Sequence, residues 1–305
     1  LLSDDHRAVI VDSPPGAGKS TFVVSTAITL TGHYDQIPII AQTNAQADDL
    51  VNSLVARNTD ISIGRLTGSS GCSLTSAGRL SVSKSFDDLD ACQIVVGTSA
   101  KWSYVANDIY PLDVGIIDEA YQMRSDQLLY VGQAFNRALM VGDPGQLDPF
   151  SPIDDSRWRG YEDGPINPAV VTVRYNHPTS PVHRLPISWR LPGLCAPLVS
   201  DAFYPTMPFG AGTTVADRRL TIRESDGSVI DRAIGLASEA GWSFLELPAR
   251  VAPPTDKEAI ATVAATAIRL LTAGITVHDS VRQPIEGALE ARRIAIGVVH
   301  RNQRA

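Results

Sequence analysis

Apolar residues in the first half of the chain come in short dense runs, and each run ends abruptly on polar residues or glycine. Ala8-Val9-Ile10-Val11 runs into Asp12-Ser13, and Ile37-Pro38-Ile39-Ile40-Ala41 into Gln42-Thr43-Asn44. Gln93-Ile94-Val95-Val96-Gly97 ends at Thr98, Val114-Gly115-Ile116-Ile117 at Asp118-Glu119, and Ala138-Leu139-Met140-Val141 at Gly142-Asp143. Runs this short, with little alternation, predict strands buried on both faces. Between them the spacing becomes helical. Residues 19–30 read as one helix. Asn44 is expected to cap another, with Ala47, Leu50, Val51, Leu54 and Val55 on one face. Strands alternating with helices predict an α/β fold around a parallel sheet, and such sheets hold ligands at the carboxyl ends of their strands. The polar clusters stand at those ends.

Elsewhere the pattern loosens. Residues 58–90 are rich in Ser, Gly and Thr and predict a loop-rich connection, with a short strand at Ile61–Ile63. Prolines recur from Pro144 to Pro186, with Asp154, Asp155, Glu162 and Asp163 among them. Residues 151–184 therefore read as an irregular connector between a first domain, 1–150, and a second, 185–305. The clearest helix of the second domain runs from Asp256 to Ala273. Thr255 and Glu258 are placed as its capping box, Ile260, Val263, Ala264, Ala267, Ile268 and Leu271 as its buried stripe, and Gly274 as its stop. Ile294 to Val299 reads as a strand.

Composition narrows the class. The chain has 305 residues, 44% of them apolar, which suffices for two cores. A formal net charge of −7 excludes a protein that binds nucleic acid through bulk positive charge, so any such contact must be local. Three widely spaced cysteines, Cys72, Cys92 and Cys195, fit a reducing cytoplasm better than a disulfide framework or a zinc site. There is no apolar run of the length that spans a membrane.

The candidate chemistry begins between the first strand and the first helix. Ser13-Pro14-Pro15-Gly16-Ala17-Gly18-Lys19-Ser20-Thr21 has the setting and composition of a phosphate-binding loop, with serine where the usual pattern has its first glycine. Small residues let backbone N–H groups approach phosphates, and the following helix turns its positive end toward them. Pro15, Gly16, Ala17, Gly18, Lys19, Ser20 and Thr21 are the expected nucleotide contacts. Lys19 would reach the β- and γ-phosphates, and the Ser20 hydroxyl would ligate Mg2+. Asp118 is placed to hold the same metal, and Glu119 to orient or deprotonate the attacking water. In Gly142-Asp143-Pro144-Gly145-Gln146-Leu147-Asp148-Pro149, Gln146 is expected to contact the γ-phosphate or that water.

The ordered set S-P-P-G-A-G-K-S-T, D-E-A-Y-Q and G-D-P-G-Q-L-D-P resembles superfamily 1 helicases, nearest the branch with a D-E-A-x-Q box. The resemblance implies two RecA-like lobes with ATP and Mg2+ between them, and a monomer acting on single-stranded nucleic acid, DNA ahead of RNA. Gln42-Thr43-Asn44 looks like that family's motif Ia and Val96-Gly97-Thr98 like its motif Ic, which implies that Thr43, Asn44 and Thr98 touch the nucleic-acid backbone. Ser188-Trp189-Arg190-Leu191-Pro192 looks like motif IV, which makes Arg190 the arginine directed at the γ-phosphate. Residues 296–303 resemble the strand that follows it. Residues 1–7 contain no glutamine to read adenine, and the chain stops before motifs V and VI, so the second lobe is expected to be incomplete. A nucleotide-controlled switch or interaction protein is the alternative, motivated by the acidic balance and the short 58–90 region.

Overall fold

The computed structural model describes residues 6–298, apart from 58–59, 69–70, 152–153, 155, 159, 250, 252–254 and 282–284. The chain divides into two compact units, Leu1–Pro186 and Ile187–Ala305.

The first unit runs β1 (Ala8–Asp12), α1 (Lys19–Leu30), β2 (Ile37–Ala41), α2 (Asn44–Ala56), β3 (Ile63–Leu66), β4 (Leu80–Ser83), β5 (Ile94–Thr98), α3 (Ser99–Val105), β6 (Leu112–Ile117), α4 (Ser125–Val131), β7 (Phe135–Gly142), α5 (Ala169–Asn176) and β8 (Val182–Arg184). The eight strands form one parallel sheet in the order β4-β3-β5-β2-β6-β7-β1-β8. The reason for the unbroken apolar runs is visible in its two cores. Ile10, Ile40, Val95, Ile117 and Met140 pack on one face with Trp102, Val131, Ala169 and Val170. Their neighbours Val11, Ile39, Val96, Ile116 and Val141 pack on the other with Val23, Ala27, Leu50 and Leu54. Successive side chains of a strand point to opposite faces, so a strand covered on both must be apolar at every position.

Three strands go beyond the five-run pattern. β3 starts at Ile63, where the expected strand was to end, and β4 and β8 are short edge strands. An edge strand faces solvent along one side and carries polar residues safely, so hydrophobicity does not mark it. The proline-rich stretch is also more ordered than a connector. Pro168 sits just before α5, a position proline tolerates because no helical N–H is needed there. Ala169 N donates to Met123 O at 2.8 Å, and β8 pairs with β1 with Arg184 opposite Asp12. Residues 169–184 thus belong to the first unit. The cap of α2 is Thr43 rather than Asn44: its hydroxyl accepts from Gln46 N while the Gln46 side chain accepts from Thr43 N.

Arg65 on β3 is completely buried. Its Nε donates to Asp48 Oδ1 at 2.8 Å, Nη1 to Leu66 O at 2.7 Å, and Nη2 to Asn44 Oδ1 at 2.9 Å. Asp48 also accepts from the Ser73 N–H and hydroxyl. Burial alone would raise the Asp48 carboxyl, but the bonds from Ser73 and Arg65 outweigh it and hold the group below its ordinary range. The network ties the 71–73 loop to the start of α2.

In the second unit β9 (Ile187–Ser188), α6 (Cys195–Phe203) and β10 (Gly210–Ala211) form a small subassembly around Ala196, Tyr204, Met207 and Phe209. β11 (Arg218–Thr221), α7 (Val229–Ala240), α8 (Lys257–Thr272), β12 (Thr276–Asp279) and β13 (Ile285–Ala288) follow, with the three strands antiparallel in the order β11-β12-β13. Arg269 of α8 clamps Asp231 of α7 through Nε at 2.6 Å and Nη2 at 2.8 Å. Asp256, not Thr255, caps α8, accepting from Glu258 N and Ala259 N. The expected buried stripe is not enclosed: Val263, Ile268 and Leu271 are exposed. Among the described residues, 294–298 pair with no strand and form none, and 299–303 lie outside the described residues.

Replacing Arg65 by Met leaves the Asp48 carboxylate buried without its partner. Urea unfolding is expected to show a loss of roughly 3–5 kcal/mol for Arg65→Met, and recovery of much of it in the double variant with Asp48→Leu.

Candidate active site

The order β6-β7-β1 sets three carboxyl ends side by side, so segments far apart in sequence converge. After β1, residues 13–18 form a tight loop whose first N–H, from Ser13, donates to Gly142 O at 2.9 Å. Ser13 is buried and its backbone is not left-handed, so the position does not require the glycine of the usual pattern. Gly16 and Gly18 do have positive φ, 75° and 90°, where a side chain would be strained. Gly18 caps α1, whose first residues are Lys19, Ser20 and Thr21. The first N–H groups of a helix have no partner within it, and Ser20 and Thr21 are exposed beside them, an arrangement with the chemistry to receive an anion.

Lys19 Nζ lies 3.9 Å from Glu119 Oε1 and 3.8 Å from Asp143 Oδ2. Asp143 is fully buried and shapes its own turn by accepting from Gly145 N at 3.0 Å. Asp118 is 5% exposed, and its Oδ1 is buried without a hydrogen-bond donor. Burial first, and then the neighbouring Glu119 charge, push the Asp118 carboxyl up to about 7, against smaller opposing pulls from the Glu119 backbone N–H and then Lys19. Ser20, Asp118 and Glu119 line one cleft of about 160 Å³ with Gln46, Asp49 and Ser53. A buried carboxylate oxygen lacking a donor, beside a serine hydroxyl, is the donor set of a hard cation. Among the described residues no three His, Cys, Asp or Glu gather to hold a metal alone. One carboxylate and one hydroxyl suit Mg2+, which keeps waters and takes substrate phosphates as further ligands.

Glu119 is the only non-glycine residue with positive φ among those described, at φ 50° and ψ 46°. It opens a 3-10 turn, Ala120–Gln122, held by two side chains. Tyr121 Oη donates to Asp12 Oδ1 at 2.7 Å, and Gln122 Nε2 donates to Gln146 Oε1 at 2.6 Å. Gln146 is thereby tied to the turn that follows the acidic pair. The roles of Asp12, Tyr121, Gln122 and Asp143 were not read from the sequence, although Asp12 carries a signal: a charged residue closing an apolar strand next to the phosphate loop.

The residues expected to contact nucleic acid lie further along the same edge. Thr43 follows β2 and Thr98 ends the adjacent strand β5, with Ala41 opposite Thr98. Both cap helices, Thr98 by accepting from Lys101 N at 3.3 Å. Asn44 has its carbonyl committed to Arg65. Arg190 belongs to the second unit, exposed, on a turn fixed by three bonds. Leu191 N donates to buried Ser188 Oγ, Thr213 Oγ1 to Leu191 O, and Arg218 Nη1 to Arg190 O at 2.7 Å. Arg218 is itself paired with Asp279 at 3.1 Å.

A family model described as an AAA domain matches residues 1–153, half of the chain. The chain belongs to the AAA domain family. No curated protein matches it. Solved structures similar to this AAA domain protein include the PRRSV helicase (15% identity, TM-score 0.44, 68% of this chain and 36% of that one). Another is the Arterivirus nonstructural protein 10 helicase in complex with DNA (16% identity, TM-score 0.44, 68% and 42%). The UvsW helicase from bacteriophage T4 is also among them (20% identity, TM-score 0.35, 45% and 47%). The chain thus spans less than half the length of each of these.

The raised Asp118 carboxyl makes a stability prediction. Between the ordinary value of 3.8 and about 7 the folded protein holds a proton that the unfolded chain has released, so stability falls as pH rises through that window. Asp118→Asn removes the penalty. Urea unfolding of the unliganded protein at pH 8 is expected to show the variant more stable, by on the order of 3 kcal/mol, with the gain shrinking toward zero near pH 4.

Proposed function

We propose that this protein is an ATP-hydrolysing motor of the superfamily 1, D-E-A-x-Q helicase type that works on single-stranded nucleic acid, DNA ahead of RNA, as a monomer. The observation that carries the reading is the placement of Lys19 between Glu119 and Asp143 at the converging ends of β1, β6 and β7, beside Ser20 and Asp118. A phosphate loop beside a buried Asp118 and a half-buried Glu119 has the groups needed to bind a nucleoside triphosphate and to activate water against it.

In this reading the N–H groups from Pro15 to Thr21 and the Lys19 ammonium hold the phosphates. Ser20 and Asp118 hold Mg2+, which when bound neutralises charge on the β- and γ-phosphate oxygens. Glu119 accepts the proton of the attacking water, and Gln146, steadied by Gln122, orients that water or registers loss of the γ-phosphate. Arg190 is the proposed further cation for the transition state, and hydrogen bonds at Leu191 N and Arg190 O fix the turn that bears it.

Thr43, Asn44 and Thr98 are the proposed contacts to the strand. Thr43 and Thr98 use an oxygen lone pair in capping, which leaves each hydroxyl proton for a phosphate oxygen. Contacts of this kind need no large basic surface, consistent with a net charge of −7.

Phosphate release by the full-length protein, with and without single-stranded DNA or RNA, tests the proposal. Glu119→Gln is expected to keep ATP binding and lower turnover by about 10² to 10⁴-fold, and Lys19→Ala to lose nucleotide binding. Arg190→Ala is expected to lower turnover by about 10³-fold or more. Turnover unchanged in Glu119→Gln would overturn the hydrolytic assignment. Turnover that no single strand raises would overturn the motor and leave a nucleotide-controlled switch.

A further inference from the structure

We propose that Tyr121 is a positioning residue for Glu119: anchored on Asp12 across the end of β7, it holds the left-handed backbone from which the Glu119 carboxylate projects. The inference rests on the hydrolytic reading of Glu119 given above.

Three adjacent strand ends carry the argument. Tyr121 lies just beyond β6, Asp12 ends β1, and β7 runs between those two strands. To join them the Tyr121 side chain must pass over the end of β7, at Gly142. A Cβ at Gly142 would stand 2.8 Å from Tyr121 Cδ2 and 3.1 Å from the backbone nitrogens of Ala120 and Tyr121. The turn is therefore seated directly on a glycine, and no other residue leaves room for it. Beyond the glycine the phenol meets Asp12, which is 5% exposed, at 2.7 Å. Burial pushes the Asp12 carboxyl up and the Tyr121 bond pulls it down, with the charges of Arg174 and Arg184 acting in the same downward sense and Asp143 opposing. The phenol stays a donor, because burial and Asp12 both raise its titration.

The geometry two residues upstream needs such an anchor. A left-handed glutamate is strained and persists only where its surroundings over-determine it. Here the turn after Glu119 is closed by Gln122 N donating to Glu119 O at 2.8 Å, and it is pinned on two sides. Gln122 ties it to the 142–149 loop, and Tyr121 ties it to the strand that enters the phosphate loop. Removing the phenol oxygen frees one side while leaving the ring in place over Gly142. The expected consequence is a misplaced Glu119 with the phosphate grip intact.

The test is steady-state ATP hydrolysis by the full-length protein, with affinity for a non-hydrolysable ATP analogue measured in parallel. Tyr121→Phe is expected to lower kcat by roughly 10 to 100-fold, with KM and analogue affinity within about twofold of wild type. In a Glu119→Gln background it is expected to add no further loss, since both changes act through one carboxylate. Asp12→Asn keeps an acceptor oxygen and is expected to retain most of the rate, whereas Asp12→Leu should match Tyr121→Phe. If Tyr121→Phe does not fold, the Asp12 pair carries the same comparison. A kcat within twofold of wild type in Tyr121→Phe, beside a Glu119→Gln variant that is inactive, overturns the positioning role and leaves the hydrolytic reading standing. An equal further loss in the Glu119→Gln background, or a loss confined to nucleotide affinity, overturns it as well. If Glu119→Gln itself hydrolyses ATP normally, the reading beneath has failed instead.

Discussion

One ammonium and four carboxylates crowd the carboxyl edge of the sheet, and this imbalance governs the first unit. Lys19 faces Glu119 and Asp143 at close to 4 Å, while Asp118 and Asp12 lie buried at the ends of β6 and β1, on either side of β7. In a low-dielectric setting such an excess of negative charge is unfavourable, and the protein shows the two standard responses. Burial raises both Asp118 and Asp12, and Asp12 also takes a phenol donor and the field of two arginines, which pull it back. The third response is to bind a cation, and the oxygen of Asp118 that lacks a donor lies where a cation would relieve it. Stability has been given up at one edge, and the remainder of the sheet supplies the rigidity that makes the loss tolerable.

That rigidity comes from two cores, one on each face. Alternate residues of the five central strands feed each core, so a shift of any strand by one residue would exchange the faces of all its side chains without moving a polar group to solvent. Register must therefore be set from elsewhere, and the strand ends do this. Ser13 N to Gly142 O, Asp118 N to Ile40 O and the Tyr121–Asp12 bond each lock one strand end to another. The bonds that shape the site are thus also bonds that specify the fold, which is why the site is built on strand ends rather than on free loops.

The legible part of this arrangement was local. α1 runs from Lys19 to Leu30 as its apolar spacing and preceding glycines require, and the five apolar runs are all strands. Lys19, Ser20, Asp118, Glu119 and Gln146 lie on the segments that follow β1, β6 and β7, where the ends of the apolar runs put them. What could not be read depends on partners distant in sequence. Arg65 looks like a surface charge on a short strand until Asp48 and Asn44 close around it. β8 carries no apolar run because it needs only one neighbour, β1. On α8 the periodicity identifies a helix with an apolar side but not what covers it, and Val263, Ile268 and Leu271 remain exposed. Residues 294–298 have strand composition without a pairing neighbour, and a strand is defined by its pairing.

The consecutive residues Tyr121 and Gln122 show how one short turn can serve two loops. Their side chains leave the 3-10 turn toward different neighbours, one ending on β1 before the phosphate loop and the other on Gln146 in the loop after β7. Displacement of Glu119 therefore cannot stay local, since the turn that carries it is fastened to both. Because Gly142 leaves no clearance beneath the turn, the turn cannot settle toward β7 and must move laterally or outward. Sequence adjacency of the acidic pair, the tyrosine and the glutamine thus lets one short turn join Glu119 to both loops at once.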